Sequence, residues 1–484
     1  MASTKSSSVK IVEVCKVAQP NLSPESATEL SLPLTFFDST WLNFPPSQCL
    51  FFYKFTESIT SAFFHSEILP KLKRSLSHTL FHFPPLAGRL TWPPHSTRPI
   101  ILYSPNDAVS LTVAETNADI DRHMGNQVRD VSESRPYVPE LPISETTSPT
   151  MALQITVRPG KGFTVGITTH HAVFDGKSAY MFLKAWSYIC KHSDENGNSF
   201  PLSQELIPLF DRTIIKDPAR LESMYLNQWM DSNRKYSESS NPRSLEVLRF
   251  FFDVPPNDLV RSAFKLSSES LGKIRESVLL YHQQQQAAGL NTLKKLRLSA
   301  FVLTCSYTLV CMVKAKGEAS GKKVIFVFAV DCRSRSSINP PIPQNYFGNS
   351  VCLHDLSAEA EDFAGENGVA IIAERLSDYV NGLDKLLFEE AKERIERMSV
   401  VGPEVLKFGI AGSTKLAFYN VDFGWGKPEM VEIPSIDHDN AFSLMEGRDG
   451  KGEVEIALAL PRQEMEVFKS LFAQGINAVQ PGLF

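Results

Sequence analysis

Along this chain the spacing of apolar residues switches repeatedly between the period of a strand and that of a helix. Val9-Lys-Ile-Val-Glu-Val-Cys15 and Phe163-Thr-Val-Gly-Ile167 alternate apolar with polar or small residues, which predicts half-buried strands. The run 151–157 lies just before the second of these across Pro159-Gly160, the pattern of a hairpin. Leu50-Phe-Phe-Tyr53 reads as a strand, and 68–79 as a helix stopped by Phe83-Pro-Pro. Residues 177–191 combine good helix formers with apolar positions at helical spacing.

In the second half, 248–254 reads as a strand. A helix is expected from Ser267 or Ser268 through Val278, and the polar tract 283–288 as a loop. Ser299 is placed to cap a helix over 300–313, because a hydroxyl there can accept from an orphan amide. The continuous apolar run 324–330 suits a strand covered on both faces. Helices are expected over 358–379, 382–398 and 463–472, with a hairpin joining 442–446 to 453–460. Between 192 and 242 the chain turns polar with little periodicity. This divides it into a domain 1–195, a crossover linker 196–245 and a domain 246–484. The irregular alternation of elements argues for an α/β fold of two layered domains with mixed sheets and a cleft between them.

At 484 residues the chain exceeds one ordinary core, and 43% hydrophobic with 21% charged residues is a water-soluble globular composition. A net charge of -5 supplies no general basic field, so nucleic acid is not an expected partner. Lys294, Lys295, Arg297, Lys314, Lys316, Lys322 and Lys323 do crowd one stretch, as a solvated face or a local anion patch. The seven cysteines are scattered, with no Cys-x-x-Cys pair, so neither zinc nor a disulfide framework is suggested. Buried thiols in a reducing compartment fit better. With no leader-like start and no apolar run near ~20 residues, the expectation is a cytoplasmic protein that does not span a membrane.

The candidate chemistry sits where the 163–169 strand gives way to the 177–191 helix, at Thr168-Thr-His-His-Ala-Val-Phe-Asp-Gly176. Histidine suits proton transfer near neutral pH, with an unperturbed pKa of roughly 6.5, provided its ring is held in one orientation. A carboxylate four residues on, across a tight turn, can do that holding. His171 and Asp175 are therefore the candidate pair, and His170 is read as a packed neighbour. His170-His171 lacks a third ligand at metal-site spacing, so no metal is expected. Gly176-Lys-Ser178 lacks the glycine a phosphate loop needs, since that position is His171. Neither a Gly-x-Ser-x-Gly elbow nor a dinucleotide fingerprint occurs. Far downstream, Asp422-Phe-Gly-Trp-Gly426 places glycines around Trp425, which permits a sharp turn with the indole either exposed or packed as core.

His171-Ala-Val-Phe-Asp175 followed at long range by Asp422-Phe-Gly-Trp-Gly426 resembles the plant BAHD acyltransferase family over nearly the whole chain. Leu32-Pro-Leu-Thr-Phe-Phe-Asp38, Leu86-Ala-Gly-Arg-Leu90 and Asp331-Cys-Arg-Ser-Arg335 are further landmarks. Tyr346-Phe-Gly-Asn349, Ala411-Gly-Ser413 and Leu206-Ile-Pro-Leu-Phe-Asp-Arg-Thr213 are most similar to one branch. That branch acylates sugar hydroxyls of anthocyanins, flavonoids and phenolic glucosides, typically with malonyl-CoA. Ser350 stands where the branch usually has cysteine.

The resemblance implies two chloramphenicol-acetyltransferase-like domains with an active-site channel between them. Acyl-CoA would enter from one side and a glycosylated phenolic acceptor from the other, with no permanently bound cofactor. It implies a catalytic set of His171, Asp175 and Asp422. His171 would be the general base, Asp175 would point to Arg333 or Arg335, and Asp422 would brace its turn. Trp425 would donate its indole N–H to the oxyanion. Ser39, Lys273, Lys294, Lys295 and Ser299 would bind CoA. A monomer is expected. A hydroxycinnamoyl-CoA donor acting on the same glycosides is the alternative.

Overall fold

The computed structural model describes residues 9–20, 28–125, 127–193, 201–217, 219–237, 239, 241–248, 258–289, 295–317, 321–399, 402, 404–437 and 440–477. Lys294 and most of the expected strand 248–254 lie outside this set. Two large mixed sheets organise the chain. The first has the strand order Val9–Ala18, Ala108–Thr116, Met151–Arg158, Gly162–Thr169, Ser47–Lys54, Met430–Glu432. The second runs Val351–Glu359, Lys323–Asp331, Val405–Ser413, Ala441–Glu446, Val454–Pro461, Leu259–Leu266, Arg129–Asp130. A smaller four-stranded sheet flanks the first half. Among the described residues no helix is long and apolar enough to cross a membrane.

Both expected hairpins form, with Met151–Arg158 antiparallel to Gly162–Thr169 and Ala441–Glu446 antiparallel to Val454–Pro461. Gly162–Thr169 is more buried than its alternation suggests. All eight residues are inside, because strands flank it on both edges and Tyr137 lies over Gly166. A Cβ on Gly166 would sit 2.1 Å from the Tyr137 carbonyl oxygen, so this position admits only glycine.

Several sequence expectations are corrected. The polar tract 283–288 is not a loop: the helix Ser268–Ala287 continues through it, and the Gln286 amide meets the ring of His282 one turn earlier. Residues 351–359 form a strand paired along its length with Lys323–Asp331, so the expected helix at 358 is confined to Ala360–Ala364 and Gly368–Leu386. Gly382 does not interrupt the latter helix. Leu259–Leu266 is a strand that periodicity does not reveal, because both of its faces are largely covered. The tract 196–245 is also more than a linker. Its helix Leu221–Tyr236 buries Leu226 and Trp229 in the core of the first half, while Leu221 packs in that of the second.

The halves are not cut cleanly at 195 and 246 either, since each lends a strand to the other. Met430–Glu432 completes the first sheet against Ser47–Lys54, and Arg129–Asp130 edges the second against Leu259–Leu266. Where these exchanges meet, the buried Glu432 carboxylate accepts from Arg129 Nη2 at 2.6 Å and from Ser134 Oγ at 2.6 Å, with Arg261 Nη1 at 3.7 Å. Burial alone pushes the Glu432 pKa up. The two guanidinium groups outweigh it and hold the carboxyl below its ordinary range. Removing one partner of a buried charge cluster strands the others, at a cost of about 3–5 kcal/mol. Glu432→Gln is therefore expected to lower the unfolding free energy from denaturant titration by that amount, and a value within ~0.5 kcal/mol of wild type would refute the role of this contact.

Candidate active site

The turn carrying His171 is built by its neighbours on both sides. The central strand Gly162–Thr169 ends at His170, whose amide donates to the Thr150 carbonyl at 3.0 Å. Asp175 then caps the helix Gly176–His192, its Oδ1 accepting from Ser178 N at 3.0 Å. That helix buries Met181, Phe182, Trp186 and Ile189, and the Trp186 indole donates to Leu72 O and Ser75 Oγ. A rigid strand and a rigid helix thus hold the loop between them from both ends.

Asp175 is saturated with donors. Arg333 Nη1 and Nη2 reach its two oxygens at 2.8 and 3.1 Å, and Ser350 N donates at 2.9 Å. Burial raises the carboxyl pKa, but Arg333 and these amides overcome it and the net shift is downward. Arg333 also donates to Ser178 Oγ and to the carbonyls of Tyr346 and Gly348, so it ties the second half to the start of the helix in the first. Of the two cations expected near Asp175, Arg333 is the one that meets it. Arg335 pairs with Asp384 at 2.7 Å and donates to the Asp331 carbonyl instead.

A second carboxylate supports the loop from below. Asp38 accepts from Thr35 N at 2.9 Å, Thr35 Oγ1 at 2.8 Å and Asn349 N at 3.0 Å, with Arg212 Nη1 at 3.7 Å. The Asn349 amide nitrogen bridges, donating to Asp38 Oδ1 and to the His171 carbonyl oxygen, each at 3.1 Å. Arg212 in turn donates to the Tyr346 hydroxyl. Tyr346-Phe-Gly-Asn349 therefore threads between two buried arginine–carboxylate pairs. Sequence reasoning noted this motif, and Asp38, only as landmarks.

His171 itself lines a channel of about 2510 Å³ between the halves. Its Nδ1 is buried, which leaves Nε2 as the ring nitrogen on the channel side. The Trp41 indole stacks on the imidazole, with ring centroids 4.0 Å apart and planes within 9°. Burial pushes the His171 pKa down to about 4, against smaller opposing effects of its own backbone and Asp175. His170 is fully enclosed and is pushed to about 3 by burial and by His171, as suits a packed, neutral ring. Among the described residues no group of three or more His, Cys, Asp or Glu is placed to hold a metal.

Two expected site residues are elsewhere. Asp422 pairs with Lys191 Nζ and accepts from Gly424 N at 2.8 Å and Gly426 N at 3.0 Å. Lys191 lies in the last turn of the helix that Asp175 begins. At 1.5 Å per residue, that places the Asp422 turn about 24 Å from Asp175. Trp425 is half-buried, edge-on to Phe163 at 6.1 Å with Lys71 over its ring at 5.8 Å, and does not line the channel. Neither residue reaches the His171 reaction zone, and the packed reading of Trp425 is the one the structure adopts.

The expected CoA ligands divide similarly. Ser299 caps the helix Ala300–Lys316 and lines the channel beside Arg297, which the sequence presents only as one member of a charge cluster. Lys273 pairs with Glu269 at 2.9 Å outside the channel lining, and exposed Lys295 is likewise outside it. Ser39 is fully buried, with its carbonyl accepting from Trp229 Nε1 at 2.7 Å, so it presents nothing to a ligand.

A Cβ on Gly348 would lie 1.9 Å from Arg212 Nη1, with φ at +152°. Gly272, half-buried within the helix Ser268–Ala287, would meet nothing within 4 Å. Gly348→Ala is expected to abolish the cooperative thermal transition or lower it severely, whereas Gly272→Ala should stabilise by about 0.5–1 kcal/mol. Equal melting curves for the two variants would remove the case for a close-packed Tyr346–Asn349 segment.

Comparison with known proteins completes the picture. The model of the "Transferase: Transferase family" matches residues 14–474. Phenolic glucoside malonyltransferase 1 of Arabidopsis thaliana is 40% identical over 475 residues, covering 97% of this chain and 98% of that protein. The malonyl-CoA:anthocyanidin 5-O-glucoside-6''-O-malonyltransferase of the same plant is also 40% identical, covering 97% and 99%. Among solved structures, vinorine synthase shares the fold at a TM-score of 0.64 with 23% identity, covering 96% of this chain and 98% of that one. The chain belongs to the Transferase family, as a BAHD acyltransferase that uses an acyl-CoA donor.

Proposed function

We propose that this protein transfers a malonyl group from malonyl-CoA to a sugar hydroxyl of a phenolic, flavonoid or anthocyanin glucoside, with His171 as general base. The observation that carries the reading is the His171 ring, facing a large channel from a loop that strand, helix and Asp175–Arg333 hold in place. Malonyl as donor group and glucoside as acceptor follow from the relatives that match along the whole chain.

In this reaction the acceptor oxygen attacks the thioester carbonyl carbon as Nε2 of His171 takes the hydroxyl proton. The C–S bond then breaks, and the imidazolium returns the proton to the departing CoA sulfur. The thioester is already activated, so no acyl-enzyme is needed. Asp175 does not exchange protons with His171. Its oxygens are engaged by Arg333, Ser178 and Ser350, and its part is to fix the loop. The start of the helix at Ser299, with Arg297 beside it, offers exposed amides and a cation to the anionic groups of CoA. Phe44 and Trp229, further along the channel wall, offer aromatic surface to the acceptor's ring system. A monomer suits this reading because one chain supplies all of these groups, and seven free cysteines suit a cytoplasmic enzyme.

The test is release of CoA thiol from malonyl-, acetyl-, coumaroyl- and caffeoyl-CoA with a mixture of phenolic glucosides. Malonyl-CoA should be preferred, and His171→Ala should lower kcat by roughly 10²–10⁴-fold. Preference for a hydroxycinnamoyl donor would overturn the donor assignment while leaving the reaction class in place.

A pH profile checks the base separately. Only neutral imidazole accepts a proton, and the folded enzyme protonates His171 near pH 4 rather than at the ordinary value. Activity should stay level from neutral pH down to about pH 5 and fall below it. An acid limb centred at pH 6.5 would show that the His171 ring is not held in a desolvated site.

A further inference from the structure

The orientation of His171 leaves one question that Asp175 does not answer. In catalytic triads a carboxylate on Nδ1 both aims the imidazole and stabilises the imidazolium. Here both Asp175 oxygens are taken by Arg333, Ser178 and Ser350, and the other nearby carboxylate, Asp38, is engaged by Thr35, Asn349 and Arg212. Asn349 secures the His171 carbonyl, which fixes the backbone but leaves the side-chain torsions open. The electron-rich group that meets the ring itself is Trp41, parallel to it at 4.0 Å.

Trp41 is in turn held in place. Its amide donates to the Asp38 carbonyl at 3.0 Å, and the residue, 7% exposed, is buried at the channel wall. Phe44 packs edge-on against it at 5.1 Å and also approaches His171 edge-on at 6.1 Å. Phe44 meets Trp229 at 5.8 Å, and Trp229 is pinned through its indole N–H to Ser39 O. A ladder of aromatic rings thus runs from the helix Leu221–Tyr236 to the imidazole.

We propose that Trp41 is a positioning residue for proton transfer. Its indole face keeps the His171 ring flat with Nε2 toward the channel, and the negative quadrupole of that face stabilises the imidazolium formed between proton uptake and delivery to sulfur. This rests on His171 acting as the base.

Packing and charge stabilisation are separated by site-specific fluorotryptophan at position 41 of the full-length chain, because successive fluorines weaken the ring quadrupole with little change of shape. Turnover is measured with malonyl-CoA and a phenolic glucoside mixture. The expected result is a stepwise fall in kcat, roughly 3- to 30-fold from tryptophan to the tetrafluorinated ring, with acceptor KM and melting temperature unchanged. Trp41→Phe should retain more activity than Trp41→Leu at equal stability, since phenylalanine keeps a π face. A flat kcat across the fluorinated series in a wild-type-active enzyme overturns the proposal and leaves His171 as base untouched. If His171→Ala releases CoA thiol as fast as wild type, the general-base reading falls, and this one with it.

Discussion

The structure depends on the buried ion pair between Asp175 and Arg333. Asp175 belongs to the first half, at the end of the loop that carries His171, and Arg333 to the second, just beyond the strand Lys323–Asp331. In a low-dielectric interior the Coulomb attraction of such a pair is largely offset by desolvation of both charges. Its value lies in direction. Two parallel N–H···O contacts are satisfied in one relative placement of the halves, whereas apolar surfaces tolerate many. The loop that aims His171 is therefore set by the same contact that sets the width of the channel in front of it.

Two other buried charge centres share this task. Asp38 and Arg212 clamp the Tyr346–Asn349 segment, and Glu432 with Arg129 and Arg261 closes the region where the halves exchange strands. Each joins residues more than a hundred positions apart in the chain. Together with the lent strands they let two separately cored halves meet firmly while the space between them stays open for two substrates. The partly buried His171, at the edge of that space, is desolvated enough to stay neutral and exposed enough to meet a hydroxyl. Chemistry and architecture thus draw on one set of contacts.

Much of this was legible in the chain. The hairpin 151–169, the helix after Asp175, the strand at 324–330 and the Ser299 cap follow from periodicity and capping chemistry, which are local. That strand is not covered on both faces as expected, since Val327 and Ala329 open onto the channel. The placing of His171 and Asp175 in one turn is local too, but Asp175 turns to Arg333 rather than to the imidazole. What failed was of another kind. A motif as recognisable as Asp422–Gly426 carries no distance, and the intervening helix Gly176–His192 keeps it from the reaction zone. Its carboxylate holds the glycine turn and Lys191, the bracing duty that the resemblance implied, and lies away from the chemistry. The resemblance assigns Ser39 to CoA, but Ser39 closes the short buried helix Phe36–Ser39 and its carbonyl accepts from Trp229.

The sequence by itself determined the elements, the family resemblance and the candidate base, because backbone propensity, side-chain period and a histidine–carboxylate turn are all written within short windows. Tertiary structure decided which of Arg333 and Arg335 meets Asp175, that Trp41 lies flat on His171, and that each half completes the other's sheet. Those outcomes depend on the packing of strands and helices from distant parts of the chain, and no local pattern of polar and apolar residues encodes which distant side chain will arrive.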